Sequence, residues 1–135
     1  MALLTWNSSF SVNVNSCDAE HQKLFSLINQ LHDAMKVGRG RTVLTNIVGE
    51  LEQYTKTHFQ SEEALMERSQ YPDLSAHRLQ HKEFIAKVAA FKKQLKEDTG
   101  ADSVEVLAFL QNWLSKHILE TDKKYAPHMN SCGIN

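Results

Sequence analysis

Apolar residues recur along this chain with the 3.6-residue spacing of amphipathic helices, and short breaks divide the pattern into four segments. The breaks are KVGRGR at 36–41, SQYPDLS at 69–75 and EDTGADS at 97–103, all rich in glycine, proline or short polar residues. Pro127 is expected to end the fourth segment. The pattern predicts four helices, each about 30 Å long at 1.5 Å per residue.

Four helices of similar length with short connections favour an all-α fold, an up-down-up-down antiparallel four-helix bundle. We expect a single domain over residues 1–135, with an extended N-terminal arm at 1–17, the bundle at 18–126 and a tail at 127–135. Trp6 and Phe10 are expected to pack the arm against the bundle. Asp102, followed three residues later by Glu105, is typical of a helix N-terminal cap.

Ionisable side chains interrupt the apolar stripes of the predicted helices. They are His21, His58, Glu62, His77, His81 and His117. The first and third helices carry theirs near the start, and the second and fourth carry theirs toward the end. In an antiparallel bundle, all these positions lie at the same end of the molecule. Buried ionisable groups are costly unless they are paired or bind metal, so the sequence predicts a metal site there.

Two other histidines fall outside this group. His32 lies on the face of His21 but ~16 Å further along the helix axis, and His128 follows Pro127. A single histidine on an apolar stripe is usually an ordinary core or boundary residue, and we interpret both in this way. Five imidazoles at one level are different, because they cannot easily satisfy one another without a cation.

The ligand types narrow the choice of metal. Five histidines and a carboxylate are too many for one structural zinc, and the protease motif H-E-x-x-H is absent because HRLQH lacks the glutamate. The Glu-x-x-His pairs of ferritin-like di-iron proteins are absent too. Nitrogen and carboxylate ligands together suit iron or manganese. Asp122, five residues after His117, could add a second carboxylate if the helix widened locally to a π-type turn.

The segments DAEHQKLF, HFQSEE, HRLQH and WLSKHILETD together resemble the bacterial hemerythrins, in register and in order between Trp6 and Tyr125. The resemblance implies two non-haem iron ions joined by an oxo or hydroxo bridge, a centre that binds O2 reversibly. Carried over residue by residue, it implies one iron on a three-histidine set, a second on a two-histidine set, and two carboxylates that bridge both. The three-histidine set is His77, His81 and His117. The two-histidine set is His21 and His58, and the bridging carboxylates are Glu62 and Asp122. Cys17 departs from the family, which commonly has a bulky aliphatic residue there.

These ligands and the single-atom bridge would fill all but one of the octahedral positions of two irons. The vacancy would fall on the iron with two histidines. The pocket around it should be apolar and dry, since water or protons would help oxygen leave in reduced form and strand ferric iron. Leu114, Phe59, Trp113 and Ile118 are the candidates, and ordinary core packing explains each of them equally well.

Composition excludes several other classes of protein. The net charge is -1 with neutral histidines, so nothing favours nucleic acid as a partner. No apolar run is long enough to form a transmembrane segment, and the first 15 residues lack the basic region of a signal peptide, so we expect a cytoplasmic protein. Cys17 and Cys132 form no disulfide framework. A single bridge between them is sterically allowed but not expected in that compartment.

Three functions are compatible with a histidine-rich di-iron site. The first is an oxygen store or carrier, not an enzyme, that acts as a monomer and delivers O2 to an oxygen-consuming enzyme. The second is a sensor or stress-protection protein that uses the same site for O2, NO or peroxide; a sensor is usually fused to a signalling domain. The third, a di-iron oxidase or iron store, is disfavoured by the missing Glu-x-x-His pairs.

Overall fold

The computed structural model describes residues 3–37, 40–97 and 103–135, and its regular structure is helical. The helices are α1 (Asn15–Lys36), α2 (Gly40–Arg68), α3 (Leu74–Glu97) and α4 (Ser103–Lys116). A π-helical turn (His117–Asp122) and α5 (Lys123–Ser131) follow α4 without a break and complete the fourth helix of the bundle. The predicted all-α four-helix bundle is confirmed. The expected cap at Asp102 lies outside the described residues.

The apolar stripes of the helices meet in one continuous core. Leu24, Ile28 and Leu31 of α1 are buried in the same core as Val48 and Leu51 of α2. Each fully buried side chain of this size contributes about 1.5–3 kcal/mol to folding. Among the described helices, none is long and apolar enough to cross a membrane.

The N-terminal arm is attached along its length. Trp6 and Phe10 both contact the ring of Phe25 on α1, with centroid distances of 5.4 and 4.9 Å, as predicted. The arm also buries Val12 and Val14, which the sequence analysis had not assigned to the core. The helix α1 begins at Asn15 and not after residue 17, and Asp18 in its first turn accepts a hydrogen bond from the Val12 N–H at 2.8 Å.

The predicted tail at 127–135 is wrong, because the fourth helix continues through Pro127 to Ser131. A proline inside a helix removes one hydrogen bond and costs about 3 kcal/mol, but Tyr125 and Met129 are fully buried and hold this segment on the bundle. The helix ends instead at Ser131, two residues before Gly133, whose φ of +82° is the left-handed conformation of a C-terminal glycine cap. The Ile134 N–H then donates to the Met129 carbonyl, 2.9 Å away.

Candidate metal centre

The seven predicted ligand side chains converge at one end of the bundle, and none of these residues is more than 4% exposed. Every helix of the bundle contributes at least one of them. They are His21 from α1, His58 and Glu62 from α2, His77 and His81 from α3, and His117 and Asp122 from the π-helical turn. The predicted convergence is therefore present in the structure, while the ligand roles of these residues remain predictions.

The π-helical turn brings Asp122 to the same face as His117. Residues five apart on an α-helix differ in direction by about 140°, whereas a π-helix has more residues per turn. The structure has π-helix from His117 to Asp122, and the Lys123 N–H donates back to the Ile118 carbonyl, five residues earlier. The local widening predicted from the sequence is confirmed.

All five imidazoles direct Nε2 toward the two carboxylates. Oε2 of Glu62 lies 3.2 Å from Nε2 of His21 and 3.5 Å from Nε2 of His58. Oε1 of the same carboxylate lies 3.3 Å from Nε2 of His81 and 3.9 Å from Nε2 of His77. Glu62 therefore has one oxygen on each side, between a two-histidine group and a three-histidine group.

Asp122 is placed between the same two groups. Its Oδ2 lies 3.1 Å from Nε2 of His21, and its Oδ1 lies 2.9 Å from Nε2 of both His77 and His117. The two carboxylates thus repeat one arrangement, in which one oxygen faces each group of imidazoles. Two ions held on either side of the carboxylates would be bridged by both.

The donor atoms fit a metal centre better than they fit one another. Within the described part of the chain, several buried ligand-type atoms have no hydrogen-bond partner: Nε2 of His77, His81 and His117, Oε1 of Glu62, and both carboxylate oxygens of Asp122. Their mutual distances of 2.9–3.9 Å resemble the ~3.0 Å between neighbouring ligands of an octahedral ion whose bonds are ~2.1 Å long. Nitrogen with carboxylate donors suits iron or manganese.

A second layer of side chains orients the imidazoles. Nδ1 of His58 lies 3.0 Å from Glu20, Nδ1 of His81 lies 2.8 Å from Glu63, and Nδ1 of His117 lies 2.8 Å from Gln80. Each outer N–H donates to an oxygen, which fixes the tautomer and leaves the Nε2 lone pair facing the centre.

Arg78 and Tyr125 extend this layer. The Arg78 guanidinium donates to the second oxygen of Glu63 at 2.8 Å, and the Tyr125 hydroxyl donates to Oε2 of Glu62 at 2.6 Å. Helical periodicity did not predict this layer. The only signal was that Glu20, Glu63 and Gln80 each directly adjoin a predicted ligand.

The buried charges perturb one another strongly in the metal-free cluster. Burial and the charge of Asp122 would raise the pKa of Glu62, but the imidazoles of His58, His21 and His81 hold it well below its usual range. Burial likewise opposes ionisation of Asp122, and His117, His21 and His77 lower its pKa. For His21, burial alone would lower the pKa, yet the adjacent carboxylates of Asp122 and Glu62 raise it to about 10.

The raised pKa of His21 predicts that metal uptake releases protons. With a pKa of about 10, the metal-free imidazole is charged at neutral pH and must lose its proton before it binds a cation. Metal affinity should therefore increase with pH up to that pKa, by about tenfold per pH unit for each proton released. Titration of the metal-free protein with ferrous iron in buffers of different ionisation enthalpy measures the proton count. A heat independent of the buffer would contradict the prediction.

Three of the four predicted pocket residues surround a small apolar void beside the cluster. Leu114, Phe59 and Trp113 line a cavity of about 10 Å³, room for about one water molecule. Phe59 also stacks on His81, with ring centroids 3.8 Å apart. Trp113 lies against the outer face of His117 and is partly exposed. Ile118 is fully buried in the core.

Both cysteines are free thiols, so the disulfide that the sequence allowed is not formed. Cys17 is buried one turn before His21, and burial raises the pKa of its thiol. Cys132 is exposed, and its Sγ lies 3.7 Å from the Ser69 carbonyl. His128 donates to the same carbonyl at 2.6 Å. This contact gives His128 a packing role, in agreement with its assignment outside the cluster.

The fold and the cluster define the class of protein: a four-helix bundle with a buried, histidine-rich site for cations at one end. Residues 12–129 match the family profile of the hemerythrin HHE cation binding domain, and because the match spans most of the chain, this protein belongs to the hemerythrin family. The members of this family are known for O2 binding at a non-haem di-iron centre.

Individual relatives agree with this assignment. The chain is 31% identical to bacteriohemerythrin of Methylococcus capsulatus over 97% of its own length and 100% of the relative's. It is 32% identical to myohemerythrin-1 of Phascolopsis gouldii, with 89% of each chain covered. The crystal structure of a wild-type hemerythrin superposes with a TM-score of 0.88 at 31% identity, over 95% of this chain and 98% of that one.

Proposed function

We propose that this protein binds O2 reversibly at a di-iron centre and stores it or delivers it to an oxygen-consuming enzyme. In this proposal His77, His81 and His117 hold one iron, and His21 and His58 hold the other. Glu62 and Asp122 would each offer one carboxylate oxygen to each iron. The observation that carries the proposal is the placement of each carboxylate, which directs one oxygen toward each group of imidazoles.

The chemistry of the ligand set favours reversible binding. When bound, the two irons would supply the electrons that O2 takes up. Neutral imidazoles outnumber the carboxylates, so this site is less anionic than a four-carboxylate ferritin-like site and stabilises high-valent iron less. Glu20, Glu63 and Gln80 hold three imidazoles in fixed orientations. The apolar side chains over the cluster keep water and protons away from bound oxygen.

A reversible oxygen cycle tests the proposal. The purified protein, loaded with iron, should contain two irons per chain and no haem. It is reduced without air, exposed to O2 and then returned to vacuum. We expect a visible absorption band that appears with O2 and disappears on its removal over repeated cycles. An iron content near one per chain would contradict the site. Oxidation that is complete after one exposure would contradict a carrier and favour the sensor or stress-protection role.

Leu114→Ala should speed the oxidation of the oxygenated protein and let small anions such as azide enter faster. Leu114 is 5% exposed, lines the apolar cavity and lies one turn before His117, so its side chain points back along the same face. Truncation enlarges the cavity and costs ~2–5 kcal/mol of stability whatever the functional role. Oxidation and azide binding are followed by visible absorption.

Leu110→Ala provides the matched control for this prediction. Leu110 lines the same cavity, is 1% exposed and lies one turn further from the cluster. Its truncation should cost similar stability and leave oxidation nearly unchanged. Equal oxidation rates in both variants would mean that Leu114 is only a core residue, and the barrier to water would then be sought at Phe59.

A further inference from the structure

The outer hydrogen-bond partner of His117 differs in charge from the other two partners in the second layer. Glu20 and Glu63 each place a carboxylate oxygen beside an imidazole Nδ1, at 3.0 and 2.8 Å. His117 meets a neutral group instead, because its Nδ1 lies 2.8 Å from the side-chain oxygen of Gln80. All three partners accept the same kind of hydrogen bond, and the charge on the accepting oxygen distinguishes them.

A second donor fixes the orientation of the Gln80 amide. Thr121, four residues after His117 in the π-helical turn, donates from its hydroxyl to the same amide oxygen at 3.0 Å. Nε2 of His117 faces Asp122 on the inner side, so its Nδ1 carries the proton and needs an acceptor. The amide oxygen therefore accepts from two neighbours at once, and both hold His117 in one orientation.

The charge of an outer partner changes how strongly an imidazole donates to a metal. A carboxylate draws on the Nδ1 proton, which makes Nε2 more basic and favours the more highly charged ferric ion. A neutral amide forms a hydrogen bond of roughly half that strength and leaves Nε2 a weaker donor, which favours the ferrous ion.

The three-histidine group has little uncompensated charge in its outer layer. Gln80 is neutral, and the carboxylate of Glu63 is paired with Arg78, whose Nε lies 2.8 Å from its second oxygen. The outer layer therefore orients two imidazoles of this group without adding a net negative charge beside them.

We propose that Gln80 is a positioning residue that keeps the iron of the three-histidine group ferrous, because its uncharged oxygen orients His117 without making that imidazole more basic. The inference rests on the proposed di-iron function. An oxygen carrier has to retain ferrous iron between cycles, since ferric iron has already lost the electron that O2 takes up. A neutral partner at this position opposes that loss.

The test measures the reduction potentials of the iron-loaded protein by anaerobic spectroelectrochemical titration. Gln80→Glu keeps the shape of the side chain and its acceptor oxygen and adds one negative charge. The side chain is partly exposed and lines an open cleft of about 430 Å³, so the variant adds this charge without burying it.

We expect Gln80→Glu to favour ferric over ferrous iron by about tenfold more than the wild type does, at the lower end of the ~10–100-fold effects of outer-layer changes. One of the two one-electron steps should then fall by about 59 mV, the equivalent of tenfold for one electron. The other step should move less, because Gln80 contacts an imidazole of the three-histidine group. The oxygenated variant should also oxidise faster than the wild type.

Two further variants separate the charge from a disturbance of the fold. Gln60→Glu adds the same charge at an exposed position of α2, two residues after His58, and should shift both steps far less because water and salt screen it. Glu63→Gln removes a charge from the other outer partner of the three-histidine group. It should raise a reduction step, in the direction opposite to Gln80→Glu, and it tests the inference independently of that variant.

Three results would overturn the inference: unchanged potentials in Gln80→Glu with two irons bound, an equal fall in Gln60→Glu, or a fall in Glu63→Gln. The titration is anaerobic and needs no O2, so it reports on Gln80 whatever the outcome of the oxygen cycle. A wild-type protein that fails that cycle contradicts the proposed function. A wild-type protein that passes it while the variants give one of the three results contradicts the role of Gln80 alone.

Discussion

Removal of iron from the loaded protein should lower its melting temperature by at least about 10 °C. We expect bound iron to stabilise the native state by ~3 kcal/mol. In a domain of this size, each kcal/mol of stability shifts the melting temperature by ~4 °C. Without the cation, two carboxylates and five imidazoles stay buried with several donor and acceptor atoms unpaired. Burial of such groups is costly, and the binding free energy of a metal is then part of the folding free energy.

Calorimetry of the iron-loaded and chelator-treated protein measures this difference. The chelator itself is controlled with Glu62→Ala, in which it should cause little further change because the centre is already lost. Reloading with iron should restore the original transition. Equal melting temperatures for the two forms of the wild type would contradict a buried metal centre.

Glu62→Ala should reduce the iron content from two per chain to well below one. The Glu62 carboxylate is fully buried. Of the side chains that α2 contributes, it is the one whose two oxygens face both histidine groups. Its removal therefore weakens both positions at once. Loss of a mere second-layer partner commonly lowers metal affinity by about 10–100-fold, and we expect a larger effect here. Iron is measured by elemental analysis after dialysis.

The matched control is Glu67→Ala on the same helix. The Glu67 side chain is 74% exposed and its nearest described ion-pair distance is 3.8 Å, to Arg78, so it should keep both irons. Glu62→Gln covers the case in which the alanine variant folds poorly, since it keeps the volume and removes the charge. Two irons in Glu62→Gln would contradict the role of the carboxylate as a bridge.

The variants also separate the two layers of the site. Glu20 and Glu63 contact the outer nitrogens of His58 and His81 and lie outside the inner cluster. Arg78 holds Glu63 from the solvent side, with a guanidinium that is 42% exposed. Changes in this layer alter the orientation and basicity of the imidazoles, whereas changes in the inner layer remove donor atoms.

Periodicity and spacing were sufficient to predict the inner layer. The helical repeat fixes which residues share a face, and the antiparallel topology fixes which ends of the helices meet, so five histidines and Glu62 could be placed at one level. On an ideal α-helix, Asp122 would not lie on the same face as His117. The π-helical turn brings the two side chains to one face, as predicted. Such local rules depend only on the chain itself.

The errors fell where local rules compete with packing. Pro127 is a helix-ending signal in isolation, but buried Tyr125 and Met129 on either side of it keep the segment helical. Gly133 then ends the helix through a positive φ that other residues adopt with difficulty. The apolar area that the last helical turns bury decides whether the helix ends at the proline or at the glycine. No short stretch of sequence reports that area.

The sequence by itself thus determined the four helices, the end of the bundle that holds the site and the residues that line it, because helical periodicity converts spacing into direction. Only the tertiary structure decided which outer oxygen meets which imidazole, which thiols stay apart, and where Trp113 stacks on His117. These contacts join residues on different helices, and they depend on how each helix is rotated and shifted against its neighbours. That rotation is set by the packing of the whole core, to which every buried side chain contributes.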